Sequence, residues 1–286
     1  MSGAPGWMKA GVAVMARVAP GPTARLAHRL FRRPAIARRF DTGDRDMLKV
    51  AEGIMATGEE VWAETPSGRM RAFRFRPEGG AVARVLLLHG WTADARAMGA
   101  FAEPLRAAGM EALIPDLPAH GASDGEETDA PASGRATKAF LEALDFAPDY
   151  VIGHSFGGGV AGVLATLNIV PKRAVAIASP CRLRRITDDF IAAFGLPKGA
   201  AMRFEKLVAE TSGWPIDDLD GHRIWPDKPT EMLVLHAPDD AEVDYAEALE
   251  LEKLPNAKLT PMPGLGHRRI IYDDASVGAA MAFITA

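Results

Sequence analysis

The sequence predicts an α/β protein built on an open, mostly parallel sheet of eight strands with helices on both faces. Short, continuous apolar runs recur along the chain, as is typical of parallel strands that are buried on both faces. Segments with helical spacing stand between these runs. Such alternation also predicts that functional groups lie at the carboxyl ends of the strands.

The predicted strands begin with a hairpin, because residues 61–75 form two strand-like runs around the turn Pro66-Ser67-Gly68. Six further strands are predicted at 85–88, 110–114, 150–152, 174–177, 232–235 and 257–260. Helical spacing is found at 97–108, 132–146, 156–168, 244–254 and 274–283. These helical segments are expected to connect the strands across the two faces of the sheet.

An insertion at about residues 182–226 interrupts this alternation. It is too long for a plain loop between two strands. Thr187 can cap a short helix that ends near Gly195, and a second helix is predicted at 200–210. The insertion carries apolar side chains that could turn toward the sheet: Phe190, Phe194, Phe204, Trp214, Ile224 and Trp225. We predict that the insertion forms a small helical cap over a pocket. The alternative is a purely structural insertion with an ordinary core.

Composition narrows the class of protein. The chain has 286 residues, is 48% hydrophobic and 24% charged, and carries a formal charge of −4, which predicts no nucleic-acid partner. Its single cysteine, Cys181, rules out an internal disulfide and fits a reducing, cytoplasmic location. Because Cys181 follows the apolar run 174–178, we interpret it as a packing residue rather than a nucleophile.

Residues 1–50 are predicted to be a basic, helical N-terminal arm that precedes the main domain at 51–286. The arm has no acidic residue before Asp41, whereas its first part carries eight basic residues: Lys9, Arg17, Arg25, Arg29, Arg32, Arg33, Arg38 and Arg39. No apolar run in this part approaches the roughly 18 residues that a membrane-spanning helix requires.

Two interpretations of the arm stay open. Leu26, Leu30 and Phe31 form a short apolar stripe beside the arginines. The helix could pack back on the core, which the shortness of the stripe favours. It could instead lie on an anionic membrane and give the protein a peripheral membrane contact.

The candidate nucleophile is Ser155 in Gly153-His-Ser-Phe-Gly157, which follows a predicted strand and precedes a predicted helix. A serine hydroxyl attacks only when a base lies beside it, and flanking glycines leave room for a sharp turn that exposes the hydroxyl. A phosphate-binding loop is the alternative for such a turn. The segment lacks the lysine and the glycine spacing of the phosphate fingerprints.

Candidate partners of Ser155 follow later strands in the order serine, acid, histidine. His267 stands between the last strand and the last helix, where it can act as general base and then as general acid. Asp239 and Asp240 both follow the strand at 232–235. We choose Asp240 to orient the imidazole because Asp240-Ala-Glu-Val243 leads into a helix, with Asp239 as the alternate; helix capping is the competing role for each.

Two backbone amides are predicted to form an oxyanion hole. One belongs to Trp91, in the segment His89-Gly90-Trp91 at the end of a predicted strand. The other belongs to Phe156, which directly follows the candidate nucleophile. Four other histidines stand at strand ends without the spacing of metal ligands: His89, His120, His154 and His236. They are expected to make structural hydrogen bonds, and neither a metal nor a cofactor is predicted.

Taken together, these motifs resemble those of the serine hydrolases with the α/β-hydrolase fold, the esterases and lipases among them. The matching segments are Leu88-His-Gly-Trp91, Asp116-Leu-Pro-Ala-His-Gly-Ala-Ser123, 153–157, 240–243 and 266–267. The resemblance covers the chain from about residue 61 to its end and leaves the basic arm outside. It implies that the segment 116–123 shapes the wall of the pocket.

The resemblance also implies a catalytic triad of Ser155, Asp240 and His267 and an acyl-serine intermediate. The single glycine at position 90 departs from the several glycines of HGGG-type esterases, so esters of bulky tertiary alcohols are not specifically implied. We expect a carboxylesterase that acts on small or medium acyl esters. A thioesterase or acyltransferase with the same triad, and a non-catalytic binding protein on the same fold, are the alternatives.

Overall fold

The structure is a computed structural model that describes residues 15–34 and 45–286. The strands of these residues form one sheet: β1 (Glu59–Thr65), β2 (Gly68–Phe75), β3 (Ala83–Leu88), β4 (Met110–Pro115), β5 (Tyr150–His154), β6 (Arg173–Ile177), β7 (Glu231–His236) and β8 (Ala257–Pro261). The order across the sheet is β1-β2-β4-β3-β5-β6-β7-β8. β2 pairs antiparallel with β1 and β4, and the remaining pairs are parallel. The predicted open, mostly parallel eight-stranded sheet is confirmed.

The helices of the described residues are α1 (Pro20–Phe31), α2 (Arg45–Met55), α3 (Ala102–Ala107), α4 (Ala130–Ala143), α5 (Phe156–Thr166), α6 (Leu183–Phe194), α7 (Lys198–Ser212), α8 (Gly221–Ile224), α9 (Tyr245–Glu252), α10 (Gly266–Arg269) and α11 (Asp274–Thr285). Short 3-10 helices at Ala95–Phe101 and Ile216–Asp218 precede α3 and α8. The boundary predicted between residues 50 and 51 falls inside α2.

The two faces of the sheet explain why its strands are continuously apolar. Along β3, Val85 and Leu87 belong to the core on the side of α3 and α11, whereas Leu86 and Leu88 belong to the core on the side of α4 and α5. Successive side chains of a strand point to opposite faces. Every position of β3 beyond Arg84 is therefore buried, and no polar alternation is left in the sequence.

The insertion between β6 and β7 is helical and holds α6, α7 and α8. The predicted role of Thr187 as a helix cap is wrong, because α6 begins four residues earlier, at Leu183. The Thr187 hydroxyl lies inside the helix and donates to the carbonyl oxygen of Arg184 at 2.8 Å. Gly195 ends the helix in the left-handed conformation (φ 63°), a position that suits glycine.

Helix α1 packs on α7 and forms a small core with the insertion. Ala24 and Ala27 are buried there against Phe190 and Phe204. The Phe31 ring contacts the Phe190 and Phe204 rings edge to face, with centroid distances of 5.1 and 5.4 Å. Helix α1 therefore packs back on the helical insertion between β6 and β7, which we call the cap.

Ion pairs also hold α1 against the chain just before α4. They join Arg29 to Glu127 at 3.1 Å, Arg32 to Asp129 at 3.0 Å and Arg33 to Glu126 at 2.5 Å. The backbone N–H of Thr128 adds a hydrogen bond to the carbonyl oxygen of Arg32 at 2.8 Å. Three arginines of the arm are thus neutralised within the fold; Lys9, Arg38 and Arg39 lie outside the described residues. Within 15–34 and 45–286, no helix combines the length and the apolar character needed to cross a membrane.

Candidate active site

Ser155 occupies a sharp turn between β5 and α5. Its backbone has φ 50° and ψ −116°, which is rare for a residue with a side chain. The Ser155 N–H donates to the carbonyl oxygen of Ile177 in the neighbouring strand β6 at 2.8 Å. Strained backbone of this kind persists only where the surrounding structure enforces it, and it concentrates at functional sites.

The glycines that flank Ser155 are required by close backbone contacts. A Cβ at Gly157 would lie 2.2 Å from the carbonyl oxygen of Leu88, and one at Gly153 would lie 2.7 Å from the backbone of Gly157. Neither contact can be relieved by rotating a side chain, because backbone atoms are involved. The turn therefore exposes the serine hydroxyl only with these two glycines in place.

We expect Gly157→Ala to lower the free energy of unfolding by about 3 kcal/mol, the upper range for overpacking a tight site. Gly159→Ala is the matched control on the same helix, because a Cβ there meets no atom within 4 Å. In a helix interior this change should be neutral or stabilising by about 0.5–1 kcal/mol. Urea unfolding curves measure both; equal midpoints for the two variants would contradict this account of the turn.

A chain of hydrogen bonds connects Ser155 through His267 to Asp240. The imidazole Nε2 of His267 lies 3.1 Å from Ser155 Oγ, and its Nδ1 lies 2.8 Å from Asp240 Oδ2. His267 lies in α10, after β8, and Asp240 follows β7, so the carboxyl ends of three strands meet here. With Asp240 accepting from Nδ1–H, Nε2 is left to accept the proton of the serine hydroxyl.

Asp239, the alternate acid, has a different partner. Its Oδ1 accepts a hydrogen bond from the N–H of Gly264 at 2.6 Å, which fastens the loop that leads to His267. Helix capping, the competing role for this pair, belongs to neither aspartate. Asp244 caps α9 by accepting from the N–H of Ala246 at 3.0 Å.

The Asp240 side chain is buried and held in its charged form. Its Oδ1 accepts from the N–H groups of Glu242 and Val243 at 2.8 and 2.9 Å, and Oδ2 lies 3.3 Å from Nε2 of His236. Burial would raise the pKa of Asp240, but the hydrogen bonds of His236 and His267 outweigh burial and lower the pKa below its ordinary value. A negative charge therefore stands behind His267 at neutral pH.

Two of the other histidines hold the backbone of the site. His154 donates through Nε2 to the carbonyl oxygen of His267 at 2.9 Å, and burial lowers its pKa to about 3, so this ring stays neutral. His89 accepts from the N–H of Leu117 at 3.0 Å and donates to the carbonyl oxygen of Gly90 at 2.8 Å. Both residues make the structural hydrogen bonds expected of them, but the contact between His154 and His267 spans 113 positions and leaves no local signal in the sequence.

The two predicted oxyanion donors both adjoin Ser155. Phe156 is the first residue of α5, so its N–H has no acceptor within the helix. A Cβ at Gly90 would lie 3.3 Å from Ser155 Cβ, which places the segment leading to Trp91 directly against the serine. The Trp91 and Phe156 rings meet edge to face at 4.9 Å. Their action as oxyanion donors stays a prediction.

A cavity of about 320 Å³ contains Ser155 and His267 in its wall. Apolar side chains from α1, the cap and α5 line much of it, among them Phe31, Ile186, Phe190 and Val163. The cations in the wall are already paired: Arg32 with Glu127 and Asp129, and Arg182 with Glu247. Phe31 belongs to the arm that was predicted to lie outside this domain; in the sequence, only the short apolar stripe that ends at Phe31 indicates its place in the wall.

Cys181 also lies in this wall but is a poor nucleophile. The thiol is buried, and its Sγ lies 3.9 Å from Asp220 Oδ1. Burial and the neighbouring carboxylates of Asp220 and Glu247 raise the pKa of Cys181 to about 12. The thiol is therefore protonated at neutral pH, in line with its interpretation as a packing residue.

Comparison with known proteins adds a family match. A family model described as the alpha/beta hydrolase family matches residues 85–280. Similar solved structures include a membrane phospholipase A described as a bacterial virulence factor, with 17% identity, a TM-score of 0.63 and coverage of 96% of this chain and 97% of the other.

Two further structures are similar in fold. An esterase from Rhodococcus sp. ECU1013 has 20% identity and a TM-score of 0.56, covering 79% of this chain and 98% of the other. An esterase from Exiguobacterium antarcticum has 16% identity and a TM-score of 0.60, covering 80% and 100%. No curated protein sequence matches the chain. At these identities the structural likeness shows the fold.

Proposed function

Because the chain belongs to the α/β-hydrolase family, we propose that it is a serine hydrolase, a carboxylesterase that cleaves small or medium acyl esters. The observation that carries the proposal is the hydrogen-bond chain from Asp240 through His267 to the strained Ser155. A protein that kept the fold only for binding would have no need to retain this strained serine beside a base and a buried acid.

Acylation begins when Ser155 Oγ attacks the ester carbonyl carbon while His267 Nε2 takes the hydroxyl proton. The carbonyl oxygen becomes an oxyanion, which the N–H groups of Trp91 and Phe156 stabilise. When this intermediate collapses, the bond between the acyl carbon and the alcohol oxygen breaks. The imidazolium returns its proton to that oxygen, so an alcohol leaves and the acyl group stays on Ser155.

Deacylation repeats the same steps with water. His267 Nε2 takes a proton from water as its oxygen attacks the acyl carbon, and collapse of the second intermediate releases the acid and returns the proton to Ser155. Asp240 stays ionised throughout, because its lowered pKa keeps it charged at neutral pH. Its charge orients His267 and stabilises the imidazolium that forms in each half-reaction.

The size and polarity of the cavity support a small or medium acyl group. Ligand cavities commonly have volumes of about 300–1,000 Å³, so 320 Å³ stands at the small end. Arg32 and Arg182, the arginines in the wall, are each paired with a carboxylate and offer no free cation to an anionic acyl chain. An uncharged acyl chain fits such a wall best.

A series of p-nitrophenyl esters from acetate through octanoate to palmitate tests the proposal. We expect kcat/KM to be highest between acetate and octanoate and to fall for palmitate. Acyl thioesters and added alcohols in parallel assays separate an esterase from a thioesterase or an acyltransferase with the same triad. Absence of turnover for every ester, thioester and acceptor would contradict the proposal and favour a binding protein.

The side chain of Phe31 is expected to limit acyl length, because α1 contributes it to the cavity wall. Phe31→Leu should enlarge the cavity while keeping an apolar contact with Phe190 and Phe204. Each additional methylene buried there is worth about 0.8 kcal/mol, or about fourfold in kcat/KM. We therefore expect the ratio of octanoate to butyrate hydrolysis to rise. Leu249→Ala, at an exposed position of α9, is the control; an unchanged ratio in Phe31→Leu would show that α1 does not set acyl length.

A further inference from the structure

Exposed apolar side chains are concentrated on α1 and its surroundings. Four belong to the N-terminal segment, with exposed fractions of 49% for Met15, 83% for Val18, 49% for Leu26 and 47% for Leu30. A fifth, Met202 at 61%, stands on α7, the helix that packs alongside α1. We call these five side chains the α1 rim. Surface clusters of large apolar side chains in a monomer mark interaction sites.

The α1 rim is not a by-product of packing. Helix α1 buries its alanine face, at Ala24 and Ala27, against the cap. Leu26 and Leu30, one turn apart, stand on another side of the helix and remain exposed. The two interpretations of the arm are therefore compatible, because one face packs on the cap and a second face is left without a partner in the described residues.

The surroundings of the rim are basic. Exposed basic side chains lie on the N-terminal segment and on α7, the two parts of the chain that carry the rim: Arg17, Arg25, Lys198, Arg203 and Lys206. In the described part of the chain, Arg17, Arg25 and Lys198 take part in no ion pair, and Lys206 has only a 3.6 Å pair with Glu210. The chain as a whole carries a charge of −4, so this positive region is a local feature. Apolar side chains flanked by cations match an anionic lipid surface, where the former insert and the latter meet phosphate groups.

The position of the rim connects it to the candidate active site. Leu30 belongs to the rim and also lines the cavity that contains Ser155. Its neighbour Phe31, which is outside the rim, lines the same cavity. A bilayer that contacts the rim would thus lie at the edge of the cavity. An acyl ester leaving the bilayer could enter the cavity beside α1 without crossing bulk water.

We propose that the α1 rim docks the protein on anionic lipid bilayers and that acyl esters of the bilayer reach Ser155 beside α1. The docking stands on the rim itself, whereas the delivery of esters rests on the proposed function. A second copy of this chain is the other occupant that an apolar surface of this kind could bind, and the experiment separates the two.

Sedimentation of the full-length chain with vesicles tests the docking. The vesicles contain phosphatidylcholine alone or with phosphatidylglycerol. We expect wild type to bind the anionic vesicles, with binding weakened by added NaCl, and the double variant Val18→Glu/Leu26→Glu to bind at least tenfold less. Leu249→Glu is the matched control, because Leu249 is 44% exposed on α9 and outside the rim. It should bind as wild type does.

Hydrolysis of soluble p-nitrophenyl butyrate separates the two proposals. Neither Val18 nor Leu26 lines the cavity, so the double variant should keep wild-type turnover of this ester. Vesicle binding without turnover in wild type would contradict the proposed function and leave the docking intact. The docking is overturned if wild type does not bind anionic vesicles or if all three proteins bind them equally. It is also overturned if the double substitution converts a dimer to a monomer in gel filtration without changing vesicle binding.

Discussion

Replacing Ser155 with alanine is expected to lower kcat for p-nitrophenyl butyrate by about 10⁵-fold or more while the chain stays folded. The substitution removes the Oγ that the structure places 3.1 Å from Nε2 of His267. No acyl-enzyme can then form, and what remains is attack by water, helped only by substrate binding and by the oxyanion donors. Steady-state kinetics gives the rates, and circular dichroism establishes that the variant is folded.

Ser179→Ala is the matched control for this prediction. Ser179 also lines the cavity, but it is fully buried, and its hydroxyl lies within hydrogen-bond distance of the carbonyl oxygens of Gly153 and Ile177 instead of facing a histidine. We expect its turnover to stay within about tenfold of wild type, because it loses one hydrogen bond worth about 1 kcal/mol. Comparable losses in the two variants would show that the decline reflects damage to the fold rather than loss of a nucleophile.

Replacing Asp240 with asparagine is expected to lower kcat by about 10⁴-fold, the loss seen when a triad carboxylate becomes an amide. An amide can present its N–H₂ group to Nδ1 of His267, which would place the imidazole proton on Nε2. In that tautomer Nε2 no longer accepts the proton of Ser155. The shape of the side chain is preserved, so a large loss would report on charge and tautomer rather than on packing.

Asp239→Asn is the adjacent control for Asp240→Asn. The asparagine carbonyl oxygen can still accept the hydrogen bond that Asp239 receives from the N–H of Gly264. We expect kcat to change by less than about tenfold, since this neutral hydrogen bond replaces one to a carboxylate. A larger loss at position 239 than at position 240 would mean that the acid has been assigned to the wrong aspartate.

Local patterns were sufficient to predict the strands and the strand-to-helix turn that holds Ser155. An unbroken apolar run, as in β3, predicts a buried parallel strand. A serine between glycines after such a run restricts the turn to few conformations. Asp239 and Asp240 could not be separated in this way. They are neighbours in one loop, and only the folded backbone determines that one side chain meets Gly264 while the other meets His267.

Elements that depend on distant contacts were harder to predict. The place of α1 is determined by Phe31, Phe190 and Phe204, which are far apart in sequence and form one core in the fold. The start of α6 is likewise set by tertiary pairing: the backbone of Arg182 pairs with Asp220 and the helix begins directly after it, which leaves Thr187 inside the helix. Side-chain capping preference alone therefore misplaced the helix start.

Covalent labelling tests most directly whether Ser155 is the nucleophile. A fluorophosphonate probe reacts with an activated serine, and peptide mass spectrometry locates the modified residue. We predict one modification, on Ser155, in the wild-type chain and none in Ser155→Ala. A modification on another residue such as Ser179 or Cys181, or an unmodified wild-type protein, would contradict the account.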